Sequence, residues 1–286
     1  MDSAYAAELA AKCHRSLEAL HAMIYFAPEA NEKFVELGLR PGRMTYFASR
    51  SAPMGQVGPG TVAATFYNFN PELVARHIPR AWTLASPEQI IDTRWEVADT
   101  ALRRLLGDAV DSAEVAEAAE LAREATTACT PAGRPLYAGH ADLAWPSQPH
   151  LVLWHAITLL REYRGDGHIA VLVANALDGL PALITHTATG KGFSEPAAKK
   201  TRGWSDEEWA AAAESLCEDG ILDDSGDLTP AGIALRERVE AETDQADTAP
   251  YEHLGEEKCL RLREIGKGLS KQALAAGAMP RENFGR

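Results

Sequence analysis

Between Ser205 and Asp244 the chain spells out an order of elements that few folds accommodate. Ser205, with Glu208 three residues on, starts a helix through "DEEWAAAAESLCEDG", and Gly220 stops it. The following "ILDDSGDLTPAGIALRERVEAETD" predicts a strand, a tight turn at Asp224 to Gly226, a second strand, and a helix opened by Thr229 and Pro230. A small hairpin wedged between helices needs further helices to cover its apolar side.

The remainder of the chain supplies them. Helical spacing runs through Tyr5, Leu9, Leu17, Leu20 and Ile24, then from Pro28 to Leu37, and again from Met44 to Arg50. "TVAATFYNF" predicts a short strand or the start of a buried helix. Asn70 caps a small helix with Pro71 in its first turn. Ser86 caps a longer one, which places Ile90, Ile91, Trp95, Ala98, Leu102 and Leu105 on one face and stops at Gly107. An alanine-rich helix ends at Pro131 and Gly133, and "AGRPLYAGHADLAWPSQPH" marks a boundary or a loop over a cavity. Beyond it, "PHLVLWHAITLLREYRGDGHIAVLVANAL" predicts two apolar helices broken at Gly165 to Gly167, and a short helix follows from Leu180 to Ala188.

This order is that of a winged helix, and the segment from Trp204 to Leu269 resembles the wing and closing helices of MarR-type regulators through Leu228, Thr229, Gly232 and Leu235. Over its whole length the chain also resembles an actinobacterial helix-turn-helix-like family often met beside natural-product genes. The segments "HAMIYFAPEA", "YFASRSAPMG", "ATFYNFNPELV" and "LWHAITLLREYRGDGH" carry that likeness. The N-terminal part has a comparable rhythm, which gives a mainly α (α+β) fold class. The expected architecture is a degenerate winged-helix-like half over 1–133 and a MarR-like half over 134–286, joined as an internal pseudo-dimer. Such a chain is expected to be a monomer.

Charge argues against the usual work of such a fold. Twenty-eight Lys and Arg against 41 Asp and Glu leave a net charge of −13, which repels a phosphate backbone on average. The Leu180 to Ala188 helix, in the place of a recognition helix, has no Lys or Arg, and the turn from Asp223 to Asp227 is acidic. Lys191, Lys199, Lys200 and Arg202 form a local basic counterweight. No apolar run approaches the ~20 residues needed to span a bilayer, and Cys13, Cys129, Cys217 and Cys259 lack metal or redox spacing, which together point to the cytoplasm.

Chemistry-bearing residues concentrate in "LREYRGDGH", where Arg161, Glu162, Arg164, Asp166 and His168 surround the expected helix break. Asp166 either caps the next helix or orients His168 for acid–base work. His150, Trp154 and His155 precede them, with Thr158 and Arg161 continuing the Trp154 face as a pocket wall or as core packing. The two histidines are five residues apart and splay by about 140°, so no metal is expected. Tyr67 and Asn68 add hydrogen-bonding groups to an apolar segment, and Arg50 needs an acidic partner or an anionic ligand if buried.

No GxGxxG, GxxxxGK[ST], GxSxG or HExxH motif occurs, so no cofactor is expected. The leading expectation is a cofactor-independent enzyme of specialised metabolism acting between the halves on a small substrate with an anionic portion, by acid–base chemistry such as elimination or cyclisation. His155, Asp166 and His168 would move protons, and Arg50, Arg161 and Arg164 would hold the anion. Tyr67, Asn68, His150 and Trp154 would shape the pocket. A ligand-responsive regulator and a noncatalytic binding protein are the alternatives.

Overall fold

The computed structural model describes residues 3–279. The chain opens with α1 (Ser3–Ala22), α2 (Pro28–Glu36) and α3 (Arg43–Ser51), followed by the short α4 (Pro59–Phe66), α5 (Pro71–Ala75) and α6 (Ile78–Ala81). Two longer helices, α7 (Pro87–Leu106) and α8 (Ala113–Thr126), precede α9 (Pro135–Ala141) and the longest element, α10 (Pro149–Ala174). Next come α11 (Gly179–Thr187), α12 (Glu195–Arg202), α13 (Asp206–Glu218), α14 (Pro230–Ala246), α15 (Thr248–Leu254) and α16 (Glu256–Ala275).

Local chemistry sets many of these boundaries. Ser86 with Gln89 and Ser205 with Glu208 form reciprocal capping boxes at the starts of α7 and α13, and Asn70 accepts from the Glu72 amide at α5. Tertiary packing overrides propensity elsewhere. The segment predicted as a strand or buried helix start is α4, and Tyr67 ends it at φ +56. The expected hairpin shrinks to a single antiparallel bridge, Leu222 to Leu228, so the described residues hold no strand ladder. The predicted break at Gly165 to Gly167 is also absent, because α10 runs unbroken through both glycines. Gly167 serves close packing instead: a Cβ there would lie 2.6 Å from Arg134 Nη1. Burial along α10 outweighs the roughly 1 kcal/mol that a glycine costs inside a helix.

One large core joins the two stretches of the chain. Leu17 of α1, Val97 of α7 and Val115 of α8 pack with Trp154 and Leu160 of α10 and with Leu262 of α16. Helices α1 and α16 run side by side in the same direction, as successive contacts show: Tyr5 donates to Glu256, Cys13 to the Cys259 carbonyl, and Ser270 to the Ser16 carbonyl. Helix α10 lies against α8, α9, α14 and α1. Two smaller cores flank this bundle, an aromatic one around Phe47, Phe66 and Phe69, and one formed by Leu183, Ala198, Trp209, Leu216 and Leu222.

The second small core underlies the helix-turn-helix. Helices α12 and α13 are joined by Gly203, Trp204 and Ser205, with Gly203 in the left-handed region at φ +78. The second helix of this pair is α13, so the segment from Leu180 to Ala188 precedes the pair and does not stand in the recognition place expected from the sequence. Among the described residues no single helix is long and apolar enough to cross a membrane.

Candidate functional site

The polar groups of the bundle gather where α1, α3, α7, α9 and α10 meet. Arg50 of α3 donates to Glu162 of α10 from Nε (3.1 Å) and Nη2 (2.8 Å), and its Nη1 donates to the Tyr46 hydroxyl. Burial alone would raise the Glu162 carboxyl, but the Arg50 guanidinium overrides it and holds the group well below the carboxylate range. This is the acidic partner that a buried Arg50 required. As a bidentate pair it leaves little of either charge for a ligand.

Arg94 of α7 is the opposite case. It is 2% exposed and makes no ion pair among the described residues. Its Nη1 reaches the Ser49 carbonyl at 3.4 Å, and its Nη2 has no hydrogen-bond partner in the protein. The guanidinium stacks over the Trp154 ring at 4.9 Å and faces Tyr25 at 5.9 Å. Trp154 Nε1, His155 Nε2 and His140 Nε2 are likewise buried without partners. Burial pushes the His155 imidazole down to about 4 and holds His140 well below its ordinary value, with the Arg94 charge adding to both. Both rings are therefore neutral near pH 7. His155 sits edge-on between Trp95 and Trp145, while His21 shares a 3.3 Å contact with Thr158.

The sequence-predicted set does not form one site. From His150 to His168 an unbroken helix advances about 27 Å, so the two ends of α10 serve different neighbours. His150 Nε2 meets Asp99 at 2.6 Å. Arg161 pairs with Glu18, and Arg164 pairs with Asp244. Asp166 and His168 are not a working pair. Asp166 Oδ2 accepts the Tyr137 amide at 2.9 Å and thereby caps α9, not the helix that follows it, while His168 Nδ1 contacts Thr243 at 2.8 Å. Two residues apart on a continuous helix, their side chains diverge by about 160°. Tyr67 ties its segment to the connection between α10 and α11, and Asn68 ties it to the helix-turn-helix. Tyr67 donates to the Leu177 carbonyl, and Asn68 accepts from Arg202 and Trp204. Of the predicted residues, Arg50, Trp154 and His155 stay at the central cluster.

Arg94, His140 and Glu162 were not among the predicted site residues. A signal for Arg94 exists in the sequence: it shares the helical face of Ile90, Val97 and Ala101, all buried, so a cation stands on the apolar stripe of α7. Of the expected face, Ile90, Ala98, Leu102 and Leu105 are buried, whereas Ile91 and Trp95 lie at its edge and Arg94 and Val97 extend it on the other side. His140 carries no such local signal.

At the helix-turn-helix the balance of charge is reversed. Helix α13 carries Asp206, Glu207, Glu208, Glu214 and Glu218 and no Lys or Arg. Two cations of the basic segment beside it, Lys199 and Arg202, are engaged within the protein, while Lys191 and Lys200 stay exposed. Lys199 pairs with Glu195 and Asp206, and Arg202 stacks on Phe69 and Phe193 while donating to Asn68. The model of a helix-turn-helix family matches residues 10–280. Neither a curated protein sequence nor a solved structure matches the chain.

Proposed function

The chain belongs to that helix-turn-helix family, and from this premise we propose that it binds a small, acceptor-rich molecule at Arg94 inside the helical bundle and does not read DNA. The observation that carries the reading is the set of unpartnered buried groups: Arg94 Nη2, Trp154 Nε1, and the free ring nitrogens of His140 and His155. Buried polar atoms in folded proteins find partners, and two leftover donors, Arg94 Nη2 and Trp154 Nε1, beside two ring nitrogens that donate or accept according to tautomer, support a ligand that carries oxygen acceptors. Aromatic walls from Trp154, Tyr25 and Trp95 favour a planar body, which makes an aromatic carboxylate the first class to test. A neutral imidazole whose free ring nitrogen is the unprotonated one can accept a proton, so cofactor-independent proton transfer is the catalytic form of the same proposal.

The rival reading, a regulator that grips DNA, is disfavoured by the acidic α13 and by the internal use of Lys199 and Arg202. The pseudo-dimer reading also belongs to the proposal. Helices α1 and α8 open and close the first stretch, α10 and α16 do the same for the second, and all four share one core. A chain built this way has no need of a second copy and is expected to run as a monomer in light scattering.

Thermal melts with benzoate, 4-hydroxybenzoate and cinnamate test the site. At 100-fold excess over Kd a ligand stabilises by about 2.7 kcal/mol, or roughly 5–10 °C for a chain of this size. The shift should vanish in Arg94→Met and persist in Lys199→Ala. A parent that no acceptor-rich probe stabilises, together with a salt-sensitive, sequence-specific gel shift on its own upstream region, would sink the proposal.

A further inference from the structure

The side of α1 away from Arg94 holds a second feature. Between the middle of α1 and the last turns of α16 lies an open groove of about 440 Å³, lined by Arg15, Ser16, Lys267, Ser270, Lys271 and Leu274. Its size falls in the range of small-molecule sites. Arg15, Lys267 and Lys271 are exposed, and among the described residues none of them sits in an ion pair, although Arg15 feels the charge of Glu8. Glu8, two turns back on α1, is held by Lys12.

These cations gather around one groove in a chain with a net charge of −13, whereas cations such as Lys33, Arg104 and Arg261 are engaged in pairs. The floor between them is not polar. Ser16 and Ser270 turn their hydroxyls to the backbone, onto the Cys13 and Ser16 carbonyls, while Leu274 remains 41% exposed at one end. Gly266 lets the helices approach closely at the base of the groove, since a Cβ there would meet Leu17 at 2.7 Å. The result is an apolar trough rimmed by three positive charges, of which Lys267 and Lys271 have no acidic partner within ion-pair distance among the described residues.

We propose that this groove binds a single-chain amphiphile with an anionic head, a carboxylate or a phosphate monoester. The head lies between Arg15, Lys267 and Lys271, and the tail lies along the trough toward Leu274. The charge complementarity selects the head, and the exposed leucine selects the apolar tail. The site is independent of Arg94, so its fate does not depend on the reading of the bundle interior.

Isothermal titration of the full chain with hexanoate, octanoate and decanoate forms one arm, and octyl phosphate with inorganic phosphate forms the other. Affinity should tighten about two- to fourfold per methylene, and octyl phosphate should bind far more tightly than inorganic phosphate. The variant Lys267→Glu/Lys271→Glu, confirmed folded by circular dichroism, should lose tenfold or more with every tailed probe. Leu274→Asn should keep head binding and flatten the dependence on chain length, and Arg94→Met should bind as the parent does. Three results would overturn the groove: affinity unchanged in the charge-reversed variant, inorganic phosphate binding as well as octyl phosphate, or loss of decanoate binding in Arg94→Met. The first would mean a merely solvated cationic face, the second an ion site without a tail, and the third a ligand inside the bundle.

Discussion

The bundle interior and the helix-turn-helix dispose of their cations in opposite ways. Inside the bundle, Arg50 is satisfied by Glu162, but Arg94 a few side chains away keeps a spare donor beside three other unpartnered groups. At the helix-turn-helix, Lys199 and Arg202 are taken up by Glu195, Asp206, Asn68 and two aromatic rings, and the outward charge is acidic. Spare donors in a buried place select a compact acceptor, because only a small molecule reaches them. On the proposed reading, exposed carboxylates on the second helix of the pair turn away the polyanion that such helices otherwise approach. Helix-turn-helix geometry and DNA-binding chemistry, on that same reading, part in this chain because Lys199 and Arg202 are engaged within the protein and the carboxylates of α13 face outward.

Breaking the buried pair gives the largest effect. Glu162→Gln strands a buried guanidinium and should cost about 3–5 kcal/mol, lowering Tm by roughly 6–20 °C in calorimetry. Lys199→Ala, which removes exposed pairs at the helix-turn-helix, should stay within about 0.5 kcal/mol. Equal losses in the two variants would erase the contrast.

Next comes Asp247, fully buried beside Arg164, with no hydrogen bond to either oxygen. Burial pushes its carboxyl up to about 7, against an unfolded value near 3.9. Its favourable contribution is complete below pH 4 and is lost as pH rises toward 7, because the unfolded chain ionises first. Asp247→Asn should therefore gain on the parent as pH rises from 4 to 7, by an amount on the order of 4 kcal/mol at the upper end. Melts at several pH values measure that gap, and a constant gap would contradict it. His155, lowered by burial to about 4, works in the other direction: its contribution is present above 6.5 and lost as pH falls toward 4. The parent's own profile should consequently be flatter than that of Asp247→Asn.

Two smaller effects sharpen the contrast further. Arg94→Met gives up one long hydrogen bond and two ring contacts and should cost less than about 1.5 kcal/mol, well below Glu162→Gln, while removing the ligand-induced shift. A large loss of stability in Arg94→Met would mean that the guanidinium is structural. Ser205→Ala removes the capping box of α13 and should cost about 1 kcal/mol, seen as a Tm drop of roughly 2–4 °C with central ligand binding untouched.

What the sequence determined by itself is what neighbours within a turn of helix decide. Ser86 with Gln89, Ser205 with Glu208, Asn70, and the acidic turn at Asp223 to Asp227 are all legible, because a cap or a tight turn is complete within about four residues. That a buried Arg50 needs an acidic partner was legible too, but not that Glu162, 112 positions away, supplies it. The glycines at 165 and 167 suggested a break on local propensity, and only the approach of Arg134 and the burial of α10 kept the helix whole. Asp166 was readable as a cap, whereas the helix it caps, α9, was set by tertiary packing. The central site was decided in the same way. Whether Arg94, His140 and His155 are satisfied depends on every side chain that five helices bring within 3 Å of them, a sum over the folded chain that no local stretch of sequence contains.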